Sequence, residues 1–87
     1  MKEIINYCRQ TKRYGDSEGK CVVLLENNET IQDVIDKYVD VRREWYDQSY
    51  SNAKEIGSYT YNNFGEETTI EGRLVIMDTF RMYLDWG

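Results

Sequence analysis

The sequence predicts an α+β domain in two layers, one long amphipathic helix packed on a mainly antiparallel sheet of about five strands in the order β-β-α-β-β-β. Three observations lead there. Cys21-Val22-Val23-Leu24-Leu25 is a continuous apolar run of strand length. Apolar residues from Ile31 to Trp45 recur at helical spacing. From Glu55 onward the period changes to two. With 87 residues, the chain reads as one domain over 1–87, since single cores split into domains only at much greater length.

The elements follow in order. Ile4 to Thr11 is rich in β-formers and precedes a turn-rich stretch, Gly15-Asp16-Ser17-Glu18-Gly19. With Cys21–Glu26 it predicts an N-terminal hairpin whose second strand, apolar on both faces, lies centrally in the sheet. Thr30 is an N-cap residue with Asp33 three positions on, so a helix starts there. Ile31, Val34, Ile35, Tyr38, Val41 and Trp45 form one helical face and carry that helix to about Gln48. Acids crowd its first turns, and Arg42 and Arg43 come late, as the helix dipole prefers. Glu55–Tyr61 alternates as a strand with Tyr59 and Tyr61 on one face. Asn62-Asn63-Phe64-Gly65 offers left-handed turn chemistry, so a second hairpin follows. Between Thr68 and Trp86 a Thr68/Glu71 capping match favours helix. Apolar residues at most even positions favour strands instead, bent near Asp78-Thr79, and the alternation is the reading adopted.

Composition closes off much catalysis. The chain has 11 Lys+Arg, 16 Asp+Glu, no His and no Pro. Without imidazole there is no His general base and no His-ligated metal, and two Cys cannot complete a four-ligand zinc site. No catalytic residue, cofactor or metal is therefore assigned. Cys8 and Cys21 read as free thiols, because the chain lacks a signal-peptide pattern and is expected in a reducing cytoplasm. No apolar run approaches membrane-spanning length. Gly15-x-x-x-Gly19-Lys20 falls short of a phosphate loop and runs into a strand. Glu18-Gly19-Lys20 with Asp16 has the short acid-x-Lys form of some metal-dependent nucleases, but the residues read as crowded on one exposed hairpin loop.

Charge is distributed unevenly. Residues 1–25 carry five bases and three acids, net +2; residues 26–87 carry six bases and thirteen acids, net −7. Direct nucleic-acid binding is disfavoured by so much negative charge. Within the expected helix, Asp33, Asp36, Asp40, Glu44 and Asp47 are spaced 3, 4, 4 and 3. On a helix they would form a ridge about 21 Å long opposite the apolar face, a row of carboxylates able to imitate nucleic-acid phosphates. Lys37 and Arg43 flank that ridge and would partly neutralise it. Tyr46, Tyr50, Tyr59, Tyr61 and Phe64 supply aromatic residues of the kind enriched at binding hot spots.

These features predict a non-enzymatic, protein-binding inhibitor, with those acids and aromatics as partner-binding residues. Its partner would be a protein with a basic nucleic-acid-binding surface. The Asn/Tyr/Ile-rich, His- and Pro-free composition suits a phage or mobile-element gene, and in format the chain looks like small anti-CRISPR, host-takeover and DNA-mimic proteins. An immunity protein or antitoxin neutralising a nuclease toxin would use the same physics. A small metal-dependent nuclease acting through Asp16, Glu18 and Lys20 is the reading of another class.

Overall fold

The computed structural model describes residues 1–10, 17–39, 41–42 and 46–83. Strands β1 (Lys2–Gln10) and β2 (Ser17–Leu24) are followed by helix α1 (Ile31–Lys37). Then come a two-residue strand β3 (Val41–Arg42) and two long strands, β4 (Tyr46–Asn63) and β5 (Glu66–Tyr83). They form one sheet in the order β1-β2-β5-β4-β3, with every pairing antiparallel.

The expected two-layer α+β architecture with a long amphipathic helix is not what forms. The molecule is predominantly antiparallel sheet, and its helix has seven residues. The helix does start at Thr30, with the reciprocal capping box in place: the Asp33 amide donates to Thr30 Oγ1, and the Thr30 amide donates to Asp33 Oδ2 at 2.7 Å. It ends at Lys37 because the chain further on is strand-forming sequence with a partner waiting. The segment 46–50 pairs with the end of β5, Tyr46 opposite Tyr83 and Tyr50 opposite Thr79. A longer helix, reaching Gln48, would leave that edge of β5 without its ladder hydrogen bonds. The C-terminal stretch also departs from expectation, running as one continuous strand through Asp78 and Thr79 with no bend that ends it.

The sheet has two unlike faces. On the helix face, Cys21, Val23, Leu25, Val75 and Met77 pack with Val34 of α1, and Ile31, Tyr38, Tyr50 and Ala53 close around them. Alternation puts Val22, Leu24, Leu74 and Ile76 on the opposite, partly open face, where Val22 and Leu74 are fully buried and exposure is concentrated at Tyr7, Phe80 and Met82. Both faces of β2 are therefore apolar, as its central place requires.

The β4–β5 hairpin outruns the rest of the sheet. Each strand has 18 residues, yet β2 accompanies β5 only to Leu74 and β3 accompanies β4 only at Asp47 and Gln48. From Ile56 to Gly72 the two strands pair only with each other among the described residues, forming a two-stranded arm. A straight hairpin of this length would span roughly 60 Å, but the longest dimension of the molecule is 46 Å. The arm is bent, and register shifts between Ser51 and Lys54 and between Ile56 and Ser58 mark where. At the second shift lies Gly72, with φ +143°, a conformation that disfavours any side chain. A Cβ there would come within 3.0 Å of Leu24 Cδ1, so the arm turns toward the open face.

Candidate functional site

The five-carboxylate ridge does not exist as a helical stripe, because α1 ends before most of its members. Asp33 is used in the capping box, and Asp36 accepts a hydrogen bond from Gln32 Nε2 at 2.8 Å. Asp47 lies on β4, opposite Met82. Asp40 and Glu44 lie outside the described residues.

The aromatic candidates separate into two groups. Tyr46 and Tyr50 belong to the packed sheet. The Arg81 guanidinium sits 4.2 Å from the Tyr46 ring centroid. Tyr50 meets Tyr38 edge-on with ring centroids 5.0 Å apart, and its hydroxyl accepts from Asn6 Nδ2 at 3.0 Å. Burial raises the Tyr50 phenol pKa. Tyr59, Tyr61 and Phe64 lie on the arm.

Tyr59 and Tyr61 project from the same side of β4 and stack at 6.4 Å with an interplanar angle of 20°. Their cross-strand partners are Ile70 and Thr68. The other side is polar and exposed: Ser58, Thr60 and Asn62 lie opposite Glu71, Thr69 and Glu67, with the Thr60 and Thr69 hydroxyls 2.8 Å apart. At the tip, Asn63 pairs with Glu66 and leaves a two-residue turn, Phe64-Gly65, with φ of +53° and +89°. Both central residues left-handed is the type I′ hairpin turn. The Gly65 amide donates to Asn62 Oδ1 at 2.8 Å. A left-handed conformation is natural for glycine and costly for phenylalanine. The Phe64 side chain is also fully in solvent, at 103% relative exposure. From Ile56 to Gly72 the arm holds three carboxylates, Glu66, Glu67 and Glu71, and no base.

A second feature escaped the sequence reading. Glu18-Gly19-Lys20 is not an exposed loop but part of β2, with Glu18 and Lys20 on the open face. Lys20 stands opposite both Tyr7 and Asp78 and forms an ion pair with Asp78, whose other oxygen accepts from Asn52 Nδ2 at 2.9 Å. The Lys20 ammonium, helped by Asn52, holds the Asp78 carboxyl below its ordinary pKa; the carboxylate raises that of Lys20. One residue pair along, Arg9, Glu18 and Phe80 align across three strands. Together Tyr7, Arg9, Glu18, Lys20, Asp78 and Phe80 line a shallow cleft of about 630 Å³. Tyr7, Phe80 and the neighbouring Met82 are exposed at 45%, 39% and 48%. Tyr59 reaches toward the same region: burial, with Tyr7 nearby, raises its phenol pKa, and the Lys20 ammonium opposes that shift.

Cys8 and Cys21 are free thiols. Burial, with Glu3 nearby, pushes the Cys21 thiol up to about 12, so it stays protonated. Cys8 lies in a polar cluster with Gln48 and Thr79, where Gln48 Nε2 donates to Thr79 Oγ1 at 2.7 Å. Among the described residues no three His, Cys, Asp or Glu side chains come together as a metal site, and no helix is long and apolar enough to cross a membrane. Asp16, the third member of the acid-x-Lys group, lies outside the described residues. No family model, curated protein or solved structure matches the chain.

Proposed function

We propose that this protein is a binding inhibitor that lays its acidic, aromatic arm into the basic groove of a nucleic-acid-handling protein. The observation that carries the reading is the arm itself: a two-stranded ribbon beyond the sheet, bearing three carboxylates, no base, two stacked tyrosines and a fully exposed phenylalanine at its tip. The carboxylates give long-range attraction to a cationic groove. Tyr and Phe supply the buried contact area that dominates interface energies. Residues on opposite sides of a ribbon can meet both walls of a groove at once. The acidic element is therefore a strand pair, in place of the helix first expected.

The test is capture from a host lysate on the immobilised protein, beside a variant with Glu66→Lys, Glu67→Lys and Glu71→Lys. These side chains are exposed, so the fold should survive. The wild type should retain a basic nucleic-acid enzyme, release it as salt is raised, and inhibit it; the variant should do none of these. Capture that is indifferent to both the charge reversal and salt would overturn the proposal.

A further inference from the structure

We infer that the arm is a hinged strap: it is closed in this structure over the apolar patch of Val22, Leu24 and Leu74, and it lifts away while the rest of the sheet stays folded. The register shows that the arm doubles back. Ile70, the cross-strand partner of Tyr59, precedes Asp78, the partner of Lys20, by eight residues along β5. In a straight strand that separation is about 26 Å. Yet Tyr59 lies beside Tyr7 and Lys20, close enough for the ammonium to act on its phenol. The base of the arm passes over Leu24, whose Cδ1 would stand 3.0 Å from a Cβ on Gly72. Val22 and Leu74 are fully buried on a face that α1 does not cover. On the arm, Tyr59, Tyr61 and Ile70 are half-buried, whereas Ser58, Thr60 and Glu71 on its other side are exposed.

The hinge lies where side chains are missing. Gly57 and Gly72 both fall at the register shift between Ile56 and Ser58, and a Cβ on Gly57 would meet nothing within 4 Å. Among the described residues, the core on the helix face (Cys21, Val23, Val34, Val75 and Met77) contains none from the arm, so it persists when the arm lifts. A segment with few contacts to the core opens at lower free energy than the whole fold. Closure hides the tyrosine side of the arm. On the inhibitor reading, on which this consequence rests, that side must meet one wall of the target's groove. The arm then opens before it binds, and the apparent affinity is lowered by the fraction of arms that stand closed.

Thiol labelling tests the strap on the purified chain, with the native Cys21 as internal reference. Val22→Cys places a thiol beneath the arm, one residue from Cys21, which is buried on the helix face. Leu74→Cys places one in the same patch from β5, should the first variant fold poorly. Iodoacetamide under native conditions, with sites mapped by mass spectrometry, should modify the introduced thiol at least about tenfold faster than Cys21. Tyr7→Ala removes the ring beside Tyr59 without altering the arm. It should raise the first rate several-fold and leave that of Cys21 unchanged. Equal rates at the two thiols overturn the inference, because the arm then leaves only with the whole fold. A rate equal to that of free cysteine also overturns it, because nothing then closes over the patch. No target enters the experiment, so either result leaves the inhibitor proposal standing, and a failed capture leaves the strap standing.

Discussion

Replacing Phe64 by Asn should make the protein more stable while removing a candidate contact residue. Phe64 sits at the first central position of a type I′ turn with φ +53°. A left-handed backbone costs an ordinary L-residue roughly 1–2 kcal/mol, since Cβ crowds the neighbouring carbonyl. Asn tolerates this region because its short polar side chain bonds locally, and Asn-Gly is a preferred type I′ pair. Against this gain, almost nothing is lost from the folded state. The ring is completely exposed, so its removal forfeits no burial. A net stabilisation of about 1 kcal/mol is expected, which for a domain of this size raises Tm by about 4–8 °C.

The assay is thermal unfolding followed by circular dichroism, with Phe64→Ala alongside. Ala also deletes the ring but keeps the left-handed penalty of an ordinary Cβ, so its Tm should stay near that of the wild type. A gain with Asn and none with Ala isolates the backbone term from any benefit of removing an exposed aromatic. A Tm lowered by the Asn substitution would refute the reasoning, showing that the ring makes stabilising contacts. A rise in stability with loss of binding would mark Phe64 as held at the tip for recognition, at a cost to the fold.

Other consequences are equally direct. Gly19 stands opposite Cys8 where β1 and β2 approach closely, and a Cβ there would run into the Tyr7 carbonyl group. Gly19→Ala must push the strands apart and should destabilise by roughly 2–4 kcal/mol in urea titration; a loss below about 0.5 kcal/mol would deny that close approach. The Lys20–Asp78 pair stabilises between the ordinary pKa ranges of Asp and Lys. It fades as pH falls through the depressed pKa of Asp78, and also as pH rises through the raised pKa of Lys20. With side chains 45% and 43% exposed, the pair is worth about 0.5 kcal/mol after screening. Asp78→Asn should cost that much at neutral pH and nothing in strong acid; a penalty constant with pH would assign it to packing. Cys21, fully buried and held protonated, should resist iodoacetamide until global unfolding, whereas rapid native labelling mapped to Cys21 by mass spectrometry would contradict its burial.

How much of this was legible in the sequence depended on whether the deciding interaction was local. The start of α1 was readable because Thr30 and Asp33 cap each other across three residues. Its end was not. Val41 and Trp45 fall at helical spacing from Tyr38, yet the segment after them answers to β5, more than thirty residues away. Its strand alternation is also disguised, because one of the inward residues is Gln48, buried with its amide bonded to Thr79. The Tyr59/Tyr61 alternation and the turn chemistry at Phe64-Gly65 were both local and both visible. That their strands outrun the sheet depends on where β2 stops, which no property of residues 56–72 records. Tyr7, Phe80 and Met82 look like core residues in a strand pattern. They are exposed because α1 covers the other face and the arm reaches only part of theirs.

The outer part of the arm is hard to explain by stability alone. An isolated two-stranded ribbon is marginal in water, since each strand has only one partner and little apolar surface to bury. The Tyr59–Tyr61 stack, Ile70 and the Thr60–Thr69 hydroxyl contact support this one near its base. Beyond them the sequence turns against the fold: a left-handed phenylalanine, adjacent carboxylates at Glu66 and Glu67, and no base to offset them. Ending the hairpin with a glycine-rich turn near Gly57 and Gly72 would remove that strain and that repulsion. Local choices that work against a fold concentrate where a surface is kept for something else. Here they concentrate at one tip, and its chemistry, negative charge around an unpartnered ring, is the ground on which a cationic partner surface is proposed. A basic groove on a foreign protein would offer such a surface, and would take the sides of the arm as well as its tip.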